Sequence, residues 1–336
     1  MVGNIAIVTP VLNDWPSFSC LLEKIAQQHC AGEPRFQVLA VNDGSVSGFV
    51  PEEFPKWVAG AIQSVEILHL AVNLGHQRAI AVGLSALSKR DNITTIVVMD
   101  CDGEDRPEDI ASLLAVSSSH PAKAVLACRT QRTETMGFRL GYELYKMIFW
   151  LLTGHIINFG NFSALPIAAV RRLVRTPDLW NNLPAAIMRS RLDSIAVPMP
   201  RGRRFAGRSR MNLAGLIVHG LSAMSVFSEV IFVRVLLGAL FSGAIMVLLM
   251  FAVVAIHFLT SATIPGWTST VFGDLVILLV QVVVTIVATT FVVLNSRGHR
   301  PIIPSMDAAS FVVEREIIYP CVVVRPAVAP RLEAVS

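Results

Sequence analysis

The sequence has little charge and little cysteine. Only 15% of its 336 residues are Asp, Glu, Lys or Arg, against 53% hydrophobic ones, and the mean hydropathy is +0.59. That balance excludes a disordered chain and is too apolar for an ordinary soluble domain. Five cysteines, scattered without a CxxC or metal spacing, suggest no disulfide framework and fit a reducing compartment. No internal repeat or low-complexity tract is evident. The opening residues, MVGNIAIVTPV, lack the basic start and separate apolar core of a signal peptide and read as a strand.

The apolar excess is localised. Residues 235–256 and 275–294 carry no charged side chain, and each run is about the length needed to cross a bilayer as a helix. Residues 258–273 between them also lack Lys, Arg, Asp and Glu. Before them lie Arg189, Arg191, Arg201, Arg203, Arg204, Arg208 and Arg210, with Asp193 the one acid in that stretch, and after them Arg297 and Arg300. The positive-inside rule puts both flanks in the cytoplasm and the short loop outside. The net charge of +4 matters less than its position beside the membrane. Arginines there can also simply fix topology and attract anionic lipids. Phe205 is the one aromatic among them, so the run lacks the stacking platform of a nucleic-acid site. Residues 134–158 read as a long amphipathic stretch with Lys146 in a row of apolar residues. Residues 211–228 read as an interfacial helix feeding the first span, with a third short span as the alternative.

The polar part alternates between two periodicities. IAIVTPV (5–11), FQVLAVNDGS (36–45), VEILHL (65–70), ITTIVVM (93–99) and AVLACR (124–129) read as strands. SFSCLLEKIAQQ (17–28), RAIAVGLSALSKR (78–90) and PEDIASLLAVS (107–117) have helical spacing. The alternation predicts a mostly parallel α/β sheet with a site at the carboxyl ends of its strands. Two apolar runs after residue 300, SFVV and EIIYPCVVV, fit no element of this scheme.

Chemistry-bearing residues gather after those strands. Asp100 and Asp102 follow the fourth strand two residues apart, a spacing that lets both carboxylates converge while Cys101 faces away. Hard oxygen donors of this kind suit Mg²⁺ or Mn²⁺ carrying substrate phosphates, although a polar turn has the same composition. Glu108 and Asp109 fit a helix start after Pro107. Asp43, in NDGS, is placed either to accept hydrogen bonds from a base or ribose or to make an Asx-turn. NLGHQRAIAVGL (73–84) runs a glycine turn and Arg78 into a helix start. It reads either as a solvated turn or as a phosphate contact through Gly75, Arg78 and His76 or Gln77.

With those elements placed, the chain resembles the family 2 glycosyltransferases of GT-A fold, and among them the membrane-anchored polyprenyl-phosphate sugar transferases. The segments that carry the resemblance are VTPVLND (8–14), VNDGS (41–45), NLGHQRAIAVGL, MDCDGEDRPEDI (99–110), Arg129 and Arg132, NFGNFSALP (158–166), RGRRFAGRSRMN (201–212) and the closing hairpin. The resemblance implies a cytoplasmic catalytic domain over 1–210 and an amphipathic juxtamembrane segment over 211–230. It further implies two transmembrane helices within 231–296 (about 233–257 and 273–295) and a cytoplasmic tail over 297–336. It implies that Asp43 contacts the donor nucleoside, with Pro10 and Asn13 shaping the wall beside it. Asp100 and Asp102 would hold the divalent metal, and Arg129 and Arg132 would lie near the diphosphate and acceptor phosphate. Arg201, Arg203, Arg204, Arg208 and Arg210 would lie near the lipid phosphate. Asp102, Arg129, Arg132 and Arg201 are the residues expected to carry catalysis.

Three positions depart from the family pattern: Asn42 stands for a frequent aspartate, Arg210 for a frequent lysine, and Asn161 for an acidic residue proposed to act in catalysis. A phosphate monoester needs no such base, since its second pKa of about 6 leaves it largely dianionic near neutral pH. The expectation is therefore transfer of a hexose from a UDP- or GDP-sugar to a polyprenyl phosphate at the cytoplasmic face of the inner membrane, with inversion implied by the resemblance. The protein would be multi-pass, with room for a homo-oligomer and no nucleic-acid partner. A membrane glycosyltransferase with a hydroxyl acceptor and a non-catalytic nucleotide-sugar-binding protein are the alternatives.

Overall fold

The computed structural model describes residues 4–28, 35–49, 58–129, 136–156, 159–206, 213–260, 264–298 and 300–320. The chain divides into two compact units. The first comprises the described parts of 1–132, 158–210 and 303–336, and the second those of 133–157 and 211–302.

The first unit is built on an eight-stranded sheet. Its strands are β1 (Asn4–Val11), β2 (Phe36–Asn42), β3 (Ile62–Leu70), β4 (Ile93–Val98), β5 (Ala124–Arg129), β6 (Phe159–Pro166), β7 (Ser194–Met199) and β8 (Val312–Tyr319), in the order β7-β5-β6-β4-β1-β2-β3-β8. Strands β1, β2, β3 and β4 pair in parallel, as do β5 and β7, while β6 and β8 run antiparallel to their neighbours. β1 and β2 are buried along nearly their whole length, which is why they read as continuous apolar runs rather than alternating ones. Helices α1 (Trp15–Gln28), α2 (Val58–Ala61), α3 (His76–Ser88) and α4 (Ile110–Ser119) connect the parallel strands. α1 buries Trp15, Phe18, Leu21, Leu22 and Ile25, one stripe at helical spacing. α3 packs so closely on the sheet that a methyl group on Gly83 would collide with Val8 and Val41.

This is the mostly parallel, helix-flanked sheet that the sequence predicts, and the five expected strands are all present. The three unforeseen strands have local reasons. β7 carries Pro198 but is an edge strand paired only with β5, where a missing N–H is tolerated. β6 lies in a segment whose motif, not its pattern, stood out. β8 lies in the expected 297–336 tail, and the described part of that tail does not stand apart from the sheet: β8 pairs with β3. Ser85 Oγ also donates to the carbonyl of Pro304 at 2.8 Å, and Ser305 N to that of Val174 at 2.8 Å.

The second unit is helical. It contains α5 (Met136–Thr153), α9 (Leu213–Ser225), α10 (Ser228–Leu259) and α11 (Trp267–Arg297); α6 (Ile167–Leu173), α7 (Asp178–Asn181), α8 (Leu183–Arg189) and α12 (Pro304–Asp307) belong to the first. α5 thus groups with the apolar helices rather than with the sheet. Its last turn is capped by Arg234 of α10, whose Nη1 donates to the carbonyls of Leu151 at 2.7 Å and Trp150 at 3.3 Å. α10 and α11 are long and apolar enough to cross a membrane. Phe241, Leu248, Phe251 and Phe291 are 68–70% exposed. Each such side chain left in water forgoes roughly 1.5–3 kcal/mol of transfer free energy, so their outward faces suit hydrocarbon. The pair reads as a membrane anchor.

Candidate active site

In this strand order the chain direction across the sheet reverses between β1 and β4, with β2 and β3 to one side. A crevice at the carboxyl ends is expected there. The pairing of β1 with β4 ends at Val8–Val98, while β1 continues beside β2 through Pro10–Val41 to Val11–Asn42. Pro10, whose ring lacks an N–H, therefore sits where β4 has already diverged.

The β1 and β2 ends are locked together. Asn13, at a left-handed φ of 50°, donates its N–H to Ser45 Oγ at 2.8 Å and accepts from the Val46 N–H at 2.8 Å. Asn42 Oδ1 accepts from the Ser45 N–H at 2.8 Å. Asp43 is 2% exposed, and its two carboxylate oxygens accept from the N–H groups of Leu74 at 2.7 Å and Gly75 at 3.0 Å. Burial raises the Asp43 pKa, against those amides, which lower it. Asp43 thus braces the loop that opens α3, a job its sequence context did not show.

At the β4 end, the turn 99–105 gathers carboxylates. Asp105 is buried and accepts from the Asp100 N–H at 3.0 Å. Asp102 Oδ1 accepts from the Glu104 N–H at 2.9 Å, and its Oδ2 lies 3.0 Å from Arg204 Nη1. The turn needs Gly103 at φ +89°, against which the Phe205 ring and the Arg203 carbonyl pack. Residues 202–205 strap down over it: Gly202 N donates to the Glu104 carbonyl and Phe205 N to that of Asp102, both at 2.8 Å. Arg204 reaches Asp14 as well, at 3.6 Å, so one guanidinium bridges the ends of β1 and β4. Arg201 pairs with Glu104 at 2.6 Å. Burial and the neighbouring Asp100 raise the Asp102 pKa, and burial raises that of the Cys101 thiol.

The start of α3 meets this cluster. His76 Nε2 lies 3.2 Å from Asp100 Oδ1 and 3.0 Å from Asn161 Nδ2. Asn161 Oδ1 accepts from Gln77 Nε2 at 2.9 Å, and Gln77 Oε1 accepts from the Leu183 N–H at 2.9 Å. A backbone N–H can only donate, so Leu183 orients both amides and points the Asn161 NH₂ at His76. Desolvation lowers the pKa of the half-exposed imidazole, but Asp100, Asp105 and Asp102 outweigh that and raise it. Arg78, at the same helix start, is exposed with its guanidinium 5.9 Å from the Trp180 ring centre.

The structure therefore brings Asn13, Asp43, Gly75, Asp100, Asp102, Arg201 and Arg204 to one end of the sheet, with Pro10 in the wall. Arg203 lies beside them on the strap. Arg132, Arg208 and Arg210 lie outside the described residues, and of Arg129 only the backbone is described, as the last residue of β5. Asp14 was not among the expected site residues, and His76, Gln77 and Asn161 were singled out without the Gln77–Asn161–His76 chain that links them. Asp14 closes the VTPVLND motif, and the signal for the chain was the amide at 161.

Residues 6–172 match the model of glycosyl transferase family 2. The uncharacterized glycosyltransferase YkcC of Bacillus subtilis is 25% identical over 292 residues, 83% of this chain and 86% of that protein. A dodecaprenyl-phosphate galacturonate synthase of Rhizobium johnstonii is 24% identical over 136 residues, 40% of this chain and 39% of that protein. Among solved structures, mannosyl-3-phosphoglycerate synthase from Rubrobacter xylanophilus aligns with a TM-score of 0.47 at 14% identity, covering 68% of this chain and 73% of that one. This chain belongs to glycosyl transferase family 2 and is a glycosyltransferase with two C-terminal helices apolar and long enough for a membrane anchor.

Proposed function

We propose that the protein transfers a hexose from a UDP- or GDP-sugar to a polyprenyl phosphate at the cytoplasmic face of the inner membrane, with inversion. The observation that carries the acceptor half is Asn161. Its amide is tied to Gln77 and His76, so position 161 offers no carboxylate to deprotonate a hydroxyl. A phosphate acceptor arrives as its own nucleophile and needs positioning and charge rather than a base. The exposed apolar faces of α10 and α11 fit an acceptor that resides in a bilayer, and a relative over 136 residues is named for a dodecaprenyl phosphate.

The donor set suits a hard divalent cation, Mg²⁺ or Mn²⁺. Asp100 and Asp102 are carboxylates two residues apart in the turn after β4. Among the described residues no cluster of three or more His, Cys, Asp or Glu forms a ready-made cage. An ion held by one or two carboxylates, with substrate phosphates and water completing its shell, matches that arrangement. When bound, such an ion supplies charge neutralisation to the leaving diphosphate. Asp43 and Asn13 hold the wall in which the nucleoside would lie, and Gly75 and Arg78 lie at the helix start on the phosphate side. Arg201 and Arg204, with Arg203 and the undescribed side chains of Arg129, Arg132, Arg208 and Arg210, supply positive charge for the acceptor phosphate.

The test is transfer of label from individual nucleotide sugars to undecaprenyl phosphate by the purified protein with Mn²⁺ or Mg²⁺. Label in the lipid fraction is the expected result. Nucleotide binding without lipid labelling, or a hydroxyl acceptor outcompeting the lipid phosphate, would overturn the acceptor assignment.

A further inference from the structure

A second chain of hydrogen bonds runs from the nucleotide side of the sheet to the strand that returns after the apolar helices. Asn42, the buried last residue of β2, accepts through Oδ1 from the Ser45 N–H at 2.8 Å. Its Nδ2 lies 3.0 Å from His69 Nδ1 on β3. His69 Nε2 lies 3.0 Å from Glu316 Oε2 on β8. The register explains the meeting: Asn42 is paired with His69 across β2 and β3, and Glu316 sits diagonally from His69, opposite Ile67.

The direction of this chain is determined at one end. The Ser45 N–H must donate, so Asn42 turns its oxygen toward Ser45 and its NH₂ toward His69. His69 Nδ1 then accepts, the ring proton sits on Nε2, and Nε2 donates to the Glu316 carboxylate. All three bonds are made with a neutral ring. An aspartate at 42, the residue that the family resemblance makes frequent there, would break the pattern. Two carboxylates would flank one imidazole, and both bonds could form only with the ring charged.

We propose that Glu316 is a positioning residue for the 42–45 turn, acting through His69 and Asn42, and that the amide at 42 is matched to this carboxylate from β8. Asp43 lies inside the turn, and Ser45 Oγ receives the Asn13 N–H. The relay therefore holds both residues that wall the nucleoside pocket. The proposal rests on the reading of that turn as the nucleotide wall. It gives the returning segment a task in donor binding.

The relay can be reversed without changing its charge. In the N42D/E316Q double variant the carboxylate moves to position 42 and the amide to position 316. His69 Nδ1–H then donates to the carboxylate and Nε2 accepts from the amide, so every group is again satisfied. The experiment uses the full-length protein in detergent, comparing wild type, N42D, E316Q and the double variant. The readouts are UDP and GDP binding, donor KM and kcat, and the thermal unfolding midpoint. N42D should weaken nucleotide binding and raise donor KM about tenfold, the loss expected for one well-placed hydrogen bond, with kcat changed much less. E316Q alone should be milder, since a glutamine oxygen still accepts from Nε2. The double variant should return to within about twofold of wild type.

Should N42D not fold, Glu316→Ala on the half-exposed edge strand gives a second arm, with a KM rise of about threefold expected. Nucleotide binding by the wild type with no rescue in the double variant sinks this proposal alone. Rescue of the unfolding midpoint with binding equal in all four proteins overturns the link to the nucleotide. If the wild type binds neither UDP nor GDP, the site reading falls and takes this proposal with it.

Discussion

At the far edge of the sheet, Glu66 is one buried carboxylate held between two arginines, Arg90 at 2.7 Å and Arg315 at 2.6 Å. Near its centre, Arg201 and Arg204 face a larger set of acids: Asp14, Asp100, Asp102, Glu104 and Asp105. The edge cluster is complete as folded and joins β8 to β3 by charge as well as by backbone. The central cluster instead crowds its acids together, with His76 beside Asp100. The raised pKa of Asp102, caused by burial and by Asp100, expresses the same crowding. Carboxylates crowded side by side at strand ends suit the arrival of a cation, whereas a lone carboxylate between two arginines is already balanced.

Substitutions at the two clusters should therefore behave oppositely. The largest effect is expected from Asp102→Asn, which removes a proposed metal ligand and the partner of Arg204. Transfer should fall on the order of 1000-fold, measured as sugar incorporated into lipid, with circular dichroism unchanged. An unchanged rate would break the assignment of the acidic turn.

Next comes Glu66→Ala, which leaves two guanidiniums without their shared carboxylate. It should lower unfolding free energy by about 3 kcal/mol, read by denaturant titration, whereas a change near zero would show that the edge pairs are ornamental.

The third prediction concerns pH. The Asp102 pKa is raised in the folded protein, so folding favours its protonated form. Its contribution to stability is full below the ordinary carboxylate value of 3.8 and is lost as pH rises through the folded pKa. Without added metal, Asp102→Asn should therefore raise the unfolding midpoint modestly at neutral pH, and the gain should vanish on acidification. A midpoint that drops at pH 7 would mean that the Arg204 pair outweighs the crowding.

The smallest effect is expected from Arg201→Ala. Its partly exposed pair with Glu104 should be worth under about 1 kcal/mol of stability, so a transfer defect in this variant would report on function rather than folding.

Much of the parallel core could be read directly. β1 and β2 are buried on both faces and show it as unbroken apolar runs, and α1 repeats its apolar stripe within the helix itself. β8 could not be read this way. In VVEREIIY the charged residues make sense only against Glu66 and His69 on β3, roughly 250 residues earlier in the chain. The paired aspartates were legible as candidates because two carboxylates two residues apart are a local geometry. The bridge from Asp14 to Arg204 and the coupling of Gln77 to Asn161 were not, because each depends on a partner on another element.

The mostly parallel sheet, the two apolar helices and the acidic turn after β4 were all written in the order of residues. Each of these is a periodicity, a length or a spacing within one segment. Folding alone made Arg204 bridge the ends of β1 and β4 and committed the Asp43 carboxylate to the α3 loop. Folding also returned the chain beyond the second apolar helix as β8, to reach Asn42 through His69. Hydrogen bonds and ion pairs act over about 3 Å in space, whatever the separation along the chain.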